Sequence, residues 1–156
     1  IRSGISKNKK PIAIKELKDC KIFPSVKKIL NKLKKDYLIF IITNQAGIAK
    51  GIFKEEDFLK LQFYVSKKLF KHNVLINDVQ YCPYHPKGNI LKFRKKTNLR
   101  KPGNQMIKNI FNKFIIDKKK SFMIGDKISD KKCANKSNIK FYYNEKNFKN
   151  LIKKII

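Results

Sequence analysis

Leu38-Ile39-Phe40-Ile41-Ile42-Thr43-Asn44-Gln45-Ala46-Gly47-Ile48-Ala49-Lys50-Gly51-Ile52-Phe53 is the stretch on which the fold turns. Leu38 to Ile42 is a continuous apolar run of strand length, as expected of a strand buried on both faces in a parallel sheet. It stops abruptly in a polar turn, Thr43-Asn44-Gln45. Gly47 and Gly51 follow, and then an acidic helix start, Glu55-Glu56-Asp57. A buried strand that opens into hydroxyl and amide side chains is a common way to build a ligand site at the carboxyl end of an α/β sheet.

The flanking sequence alternates helix and strand. Upstream, Pro24 suits a first helical turn. Val26, Ile29, Leu30 and Leu33 then recur at helical spacing with lysines opposite. Downstream, residues 54–71 read as a helix with acids at its positive end and Lys67, Lys68 and Lys71 near its negative end. Phe58, Leu61, Val65 and Leu69 form its apolar stripe. Asn77 to Cys82 reads as a strand, and 83–103 as a long irregular segment rich in Pro, Gly, Lys and Asn. A loop of that length in a compact domain is usually functional. Asn104 to Phe114 is a third helix, with Ile107, Ile110, Phe111 and Phe114 on one face. Ser121 to Ile124 is a strand ended by Gly125-Asp126, followed by a short helix, a strand over Ile139 to Tyr142 and a last helix carrying Phe148, Leu151, Ile152 and Ile155. Residues 1–22 show no strand pattern and read as loop. The alternation implies an α/β parallel sheet.

Composition narrows the function classes. The chain has 156 residues, enough for one domain with a real core, so 1–156 is read as a single domain. There is no apolar run long enough to span a membrane and no signal-peptide pattern, and the three cysteines, Cys20, Cys82 and Cys133, are widely spaced. These features fit a cytoplasmic monomer without a disulfide framework. The net charge of +28 would attract polyanions. The lysines, however, are spread over the whole chain with little Arg among them, which is the pattern of compositional drift rather than a dedicated nucleic-acid surface. Any binding to duplex DNA is expected to be weak, indifferent to sequence and steeply salt-dependent.

Three strand ends bring chemistry to one edge of the sheet: Thr43-Asn44-Gln45, the loop with Arg100-Lys101-Pro102, and Gly125-Asp126-Lys127. Hydroxyl, amide and cationic groups suit an anionic ligand, and a carboxylate beside them suits Mg²⁺. The combination points to a site for phosphate and magnesium.

These residues, with Tyr81-Cys82-Pro83-Tyr84-His85-Pro86 and Met123 to Asp130, resemble the haloacid dehalogenase (HAD) superfamily, and within it the D-glycero-D-manno-heptose 1,7-bisphosphate phosphatases. The resemblance implies a Rossmann-like core without a large cap. It implies hydrolysis of the C7 phosphate through an aspartyl phosphate, on the path to ADP-heptose for lipopolysaccharide. By the same resemblance Thr43 and Lys101 hold the phosphoryl oxygens, and Asp126 holds Mg²⁺. Lys127 contacts the substrate phosphate and Arg100 the sugar or its second phosphate, while Asn44, Gln45 and Ala46 line the pocket.

The chain departs from the family in two places. The family opens on a central strand ending Asp-x-Asp-Gly; the matching stretch is Ile1-Arg2-Ser3-Gly4-Ile5. Ile1 thus stands at the nucleophile position and Ser3 at the acid/base position, and the preceding strand is absent, so an impaired phosphatase is expected. A missing start or a decaying gene would account for both losses. Without that strand, Leu38–Ile42 and Ser121–Ile124 must either pair directly or leave their facing edges open. The family's zinc site is also eroded: Cys82 remains, but Tyr84, Thr97 and Leu99 occupy the other ligand positions, and His85 could not complete the set. Zinc is not expected, and Cys82 reads as a small buried hydrophobe. Related alternatives are a histidinol phosphatase, a polynucleotide 3′-phosphatase, or a non-catalytic basic protein binding anions or nucleic acid.

Overall fold

A computed structural model describes Cys20, Ile22 and residues 24–144. The elements in chain order are α1 (Pro24–Leu33), β1 (Phe40–Asn44), α2 (Ala46–Ala49), α3 (Glu55–Phe70), β2 (Asp78–Cys82), α4 (Gln105–Lys113), β3 (Phe122–Gly125), α5 (Ile128–Lys136) and β4 (Lys140–Tyr143). A single 3₁₀ turn, Leu91–Phe93, interrupts the long segment after β2. The expected helix over Phe148 to Ile155 and the expected loop over residues 1–19 lie outside the described residues. No described helix is long and apolar enough to cross a membrane.

The strands form two parallel pairs. β1 pairs with β2 from Phe40 opposite Asp78 to Asn44 opposite Cys82, and β3 pairs with β4 from Phe122 opposite Lys140 to Gly125 opposite Tyr143. Among the described residues no ladder joins β1 to β3. Of the two outcomes open from the sequence, the facing edges stand apart.

Helices cover both faces of the strands. On one face, Ile29 and Leu33 of α1 pack with Phe122, Ile124 and Tyr142, and the α3 residues Val65 and Leu69 pack with Val74, Leu30 and Ile39. On the other, Ile107 of α4 and Cys133 and Ala134 of α5 pack with Met123, Phe141 and Ile42. Strand alternation produces this division: Phe122 and Ile124 face α1, while Met123 between them faces α4 and α5.

The helical stripes are realised where expected. Phe58, Val65 and Leu69 are buried in α3, and Ile107 and Ile110 in α4. Two boundaries need correction. β1 starts at Phe40 rather than Leu38, which is half exposed, and it runs through Thr43 and Asn44. The polar residues stay in the strand because β2 continues beside them, and the ladder closes with the Gln45 N–H donating to the Cys82 carbonyl at 2.8 Å. The four-residue helix α2 was not expected.

Glycine geometry explains the spacing from Gly47 to Phe53. A Cβ at Gly47 would collide with the Phe53 ring, so the ring can fold back over the turn only if position 47 is bare. Gly51 has φ +70°, a left-handed backbone that side chains disfavour.

A polar relay ties β2 to α4. The Asp78 carboxylate accepts from Lys113 Nζ at 3.1 Å, Gln80 Nε2 at 3.1 Å and the Val79 N–H at 2.7 Å. Gln80 Oε1 in turn accepts from Asn109 Nδ2 at 3.2 Å. Burial works to raise the Asp78 pKa, but the Lys113, Gln80 and Val79 bonds outweigh it and hold the group below 3.8. Its contribution to stability is therefore complete above pH 3.8 and fades as the pH falls through the lower folded value. Lys113 is 61% exposed, so the ion pair is screened. Asp78→Asn should cost less than about 1 kcal/mol at pH 7. In urea titrations the gap between Asp78→Asn and the parent closes below pH 3.8; a gap that widens there contradicts the assignment.

Candidate active site

The site is built at the carboxyl ends of β1 and β3 and organised by Lys101. The 100–103 loop is fastened to β1 by a reciprocal amide pair. Asn44 Nδ2 donates to the Lys101 carbonyl at 3.0 Å, and the Lys101 N–H donates to Asn44 Oδ1 at 3.0 Å. Gly103 allows the loop to close: a Cβ there would lie 2.5 Å from Asn98 Oδ1 and would strike the Asn98 carbonyl. The clamp aims the Lys101 side chain across the gap between the strand pairs. Its ammonium donates to the Ile42 carbonyl at 3.0 Å and lies 2.8 Å from Asp130 Oδ1. An ammonium has three N–H donors, so these contacts leave one for a ligand.

Asp130 ends the Met123-to-Asp130 stretch, and the structure gives it a role. It is 4% exposed. While Oδ1 meets Lys101, Oδ2 accepts from the Asp126 N–H at 3.2 Å and the Lys127 N–H at 3.1 Å. These are donors at the start of α5, where a carboxylate at the third helical position answers otherwise unpaired amides. The available signal was an acid at that capping position, just after Gly125-Asp126. Gly125 leaves room for it: a Cβ there would sit 2.6 Å from Asp130 Cβ.

The other expected site residues are disposed around this centre. Thr43 Oγ1 accepts from Gln45 Nε2 at 2.9 Å, which leaves the hydroxyl proton available to a phosphoryl oxygen. The Asn44 amide is engaged at both ends by the Lys101 backbone, so it acts through the loop. Ala46 opens α2. Arg100 is half-buried and donates to the Tyr84 carbonyl at 3.4 Å. Asp126 and Lys127 are exposed at the β3–α5 junction. Of the two carboxylates at this junction, Asp130 is committed to a cation and a cap and Asp126 is not. Mg²⁺ commonly binds proteins through one or two carboxylates and completes its shell with water and phosphate oxygens, so Asp126 fits as one anchor.

The eroded zinc positions have local partners. Cys82 is fully buried, with Sγ 3.7 Å from the Tyr84 carbonyl, and burial raises its thiol pKa despite that bond and the nearby Arg100 and Lys95. Lys95 lies 4.0 Å from the Tyr84 ring centroid, and Thr97 Oγ1 accepts from the Leu99 N–H at 3.1 Å. His85 Nδ1 accepts from the Lys87 N–H at 3.1 Å. Its pKa is lowered by desolvation and then by the positive charge of Arg100 and Lys50. Cys133, under the Lys101–Asp130 pair, is pushed up to about 11, chiefly by burial. Among the described residues no three His, Cys, Asp or Glu side chains are grouped to hold a metal.

Known proteins resemble this chain in sequence and in fold. The haloacid dehalogenase-like hydrolase family matches residues 72–143. The D-glycero-β-D-manno-heptose-1,7-bisphosphate 7-phosphatase of Photorhabdus laumondii is 36% identical over 122 residues, covering 78% of this chain and 65% of that protein. The enzyme of the same name from Rhodopseudomonas palustris is 38% identical over 103 residues, covering 66% and 57%. That from Escherichia coli K12 is 32% identical over 127 residues, covering 81% and 66%. The chain thus spans somewhat under two thirds of the length of these relatives. Among solved structures, a HAD-like phosphatase from Mesorhizobium loti superposes with a TM-score of 0.78 at 19% identity, over 90% of this chain and 76% of that one. The D,D-heptose 1,7-bisphosphate phosphatase of B. bronchiseptica, complexed with magnesium and phosphate, gives 0.71 at 19% identity, over 83% and 69%. With the parallel strand pairs and the helices on both faces, these matches make the chain a member of the haloacid dehalogenase-like hydrolases.

Proposed function

We propose that this chain derives from a heptose 1,7-bisphosphate 7-phosphatase and keeps the phosphoryl-binding wall of that site without its nucleophile. The observation that carries this is the placement of Lys101 Nζ, held between the Ile42 carbonyl and Asp130 Oδ1 with one donor to spare. Thr43 and Lys101 direct donors at the phosphoryl oxygens, where charge accumulates during transfer. Lys127 contacts the substrate phosphate, Arg100 meets the sugar or its second phosphate, and Gln45 orients the Thr43 hydroxyl. Asn44 positions the Lys101 loop. Asp126 would hold Mg²⁺, more weakly than a site with several carboxylates. When bound, that ion neutralises phosphate charge. Cys82 packs the loop base and takes no metal.

Hydrolysis in this family's chemistry needs a carboxylate that attacks phosphorus and a second that protonates the leaving oxygen and then activates water. By the motif match, those positions hold Ile1 and Ser3, which can do neither. The activity is accordingly impaired, and what persists is recognition of a phosphorylated sugar by a monomeric cytoplasmic protein. Titration calorimetry separates the candidate ligands. Heptose 1,7-bisphosphate should bind more tightly than histidinol phosphate or a 3′-phosphorylated oligonucleotide, and Lys101→Met should abolish the difference. Preference for the oligonucleotide that persists at high salt contradicts the assignment, because non-specific attraction to a +28 chain is screened.

A further inference from the structure

The outer face of α3 carries three large apolar side chains in one row. Leu59, Phe63 and Phe70 are 47%, 71% and 64% exposed. At the α-helical repeat they fall within about 40° of one another around the axis. The row is centred about a third of a turn away from Phe58, Val65 and Leu69, which are buried in the core.

The neighbouring row is basic. Lys60, Lys67 and Lys71 lie beside the apolar row, all three are exposed, and among the described residues none of them has an acidic partner. Of the acids in the first turn, Glu55 accepts from the Tyr81 hydroxyl at 3.1 Å and Asp57 from the Lys54 N–H at 3.1 Å. Glu56 is left on the outer face. Beyond that first turn the face is apolar on one side and cationic on the other.

An exposed apolar row of this kind marks a contact surface rather than scattered single residues. A second copy would set one lysine row against another in a chain of net charge +28. A partner protein that takes an amphipathic helix does so in a groove, whereas an anionic bilayer needs no matching shape. Lysines on one side of a helix and Phe and Leu on the other suit a helix that lies in the plane of the lipid interface. Acidic headgroups attract lysines near the surface. The lysines spread over the rest of the chain add attraction in any orientation, and the α3 row selects the face that docks.

We propose that the outer face of α3 is a docking surface for an anionic lipid bilayer. Phe63 and Phe70 enter the boundary between headgroups and acyl chains, and Lys60, Lys67 and Lys71 stay among the headgroups. The contact is with one leaflet, since no described helix is long and apolar enough to cross a membrane. The assignment does not depend on phosphatase ancestry.

The chain contains no Trp, so Phe63→Trp reports on the row alone. Leu91→Trp, at a residue 76% exposed on the 3₁₀ turn, is the control. Each variant of the 156-residue chain is mixed at physiological salt with vesicles of phosphatidylcholine and phosphatidylserine, with plain or brominated acyl chains. The Phe63→Trp emission should move to shorter wavelength and be quenched by the brominated chains, and the Leu91→Trp emission should do neither. Adding Phe70→Ser to Phe63→Trp keeps the net charge and should lower the vesicle partition coefficient at least about tenfold. Equal quenching at the two positions, or a partition coefficient that Phe70→Ser leaves unchanged, would show adsorption by charge alone and overturns the proposal. So does absence of binding at physiological salt. A shift that grows with protein concentration without vesicles would assign the row to a second copy. A shift produced by a single-stranded oligonucleotide but not by vesicles would assign it to nucleic acid, and either result refutes the lipid surface.

Discussion

Residues 1–156 mixed with D-glycero-D-manno-heptose 1,7-bisphosphate and Mg²⁺ should release phosphate no faster than the protein-free blank. The described site has donors for phosphoryl oxygens in Thr43 and Lys101, but donors alone stabilise a transition state that something else must form. Asp130 is not available as that attacking group: both its oxygens are committed, to Lys101 and to the α5 amides, and it is almost fully buried. Asp126 is exposed and free, but it is the residue suited to anchor a cation. Loss of a catalytic nucleophile costs on the order of 10⁶ in rate in the well-studied serine protease subtilisin. A comparable loss here places turnover below the blank. A colorimetric phosphate assay over hours, with the Photorhabdus laumondii relative as positive control, measures it directly. Saturable, magnesium-dependent release by this chain would show that another group attacks.

Breaking the Lys101–Asp130 pair from either side should be the most damaging single change to stability. The two side chains are 10% and 6% exposed, so neither can recover its hydration if the partner is lost. Lys101→Met leaves Asp130 as a buried carboxylate without its cation. Asp130→Ala leaves a buried ammonium and also uncaps the Asp126 and Lys127 amides. Each should cost about 3–5 kcal/mol, the usual result of orphaning one member of a buried pair. The double variant should cost clearly less than the sum of the two, because no charge is then left alone. Denaturant unfolding of the four proteins supplies the cycle. Strict additivity would mean that the two groups do not interact, and that Lys101 is held by Ile42 and Asn44 alone.

Much of the fold could be read from local pattern because its elements have clear periodicity. The stripe of Phe58, Val65 and Leu69 and the run through Phe40, Ile41 and Ile42 each state their environment in a few residues. What could not be read depends on partners distant in sequence. β1 reaches Asn44 because Cys82 stands beside it. Asn44 looked like a pocket amide, yet its carbonyl and amino groups are both spent on a loop 57 residues away. Asp130 was hidden for a similar reason: its capping role is local, but its importance comes from Lys101 on another element. The sequence leaves β1 and β3 either paired or apart, and among the described residues no ladder joins them. Only packing could decide between direct pairing and an open slot, and α1 and α4, braced on opposite faces, are what line it.

Phosphate recognition without turnover is the central claim, and ³¹P NMR of heptose 1,7-bisphosphate with the chain and Mg²⁺ addresses both halves in one sample. The predicted spectrum shows the sugar phosphate resonances broadened or shifted by the chain, with the change abolished by Lys101→Met refolded to the parent spectrum, and no inorganic phosphate growing in over a day. Growth of inorganic phosphate, or sugar phosphate signals that the chain leaves untouched, would contradict it.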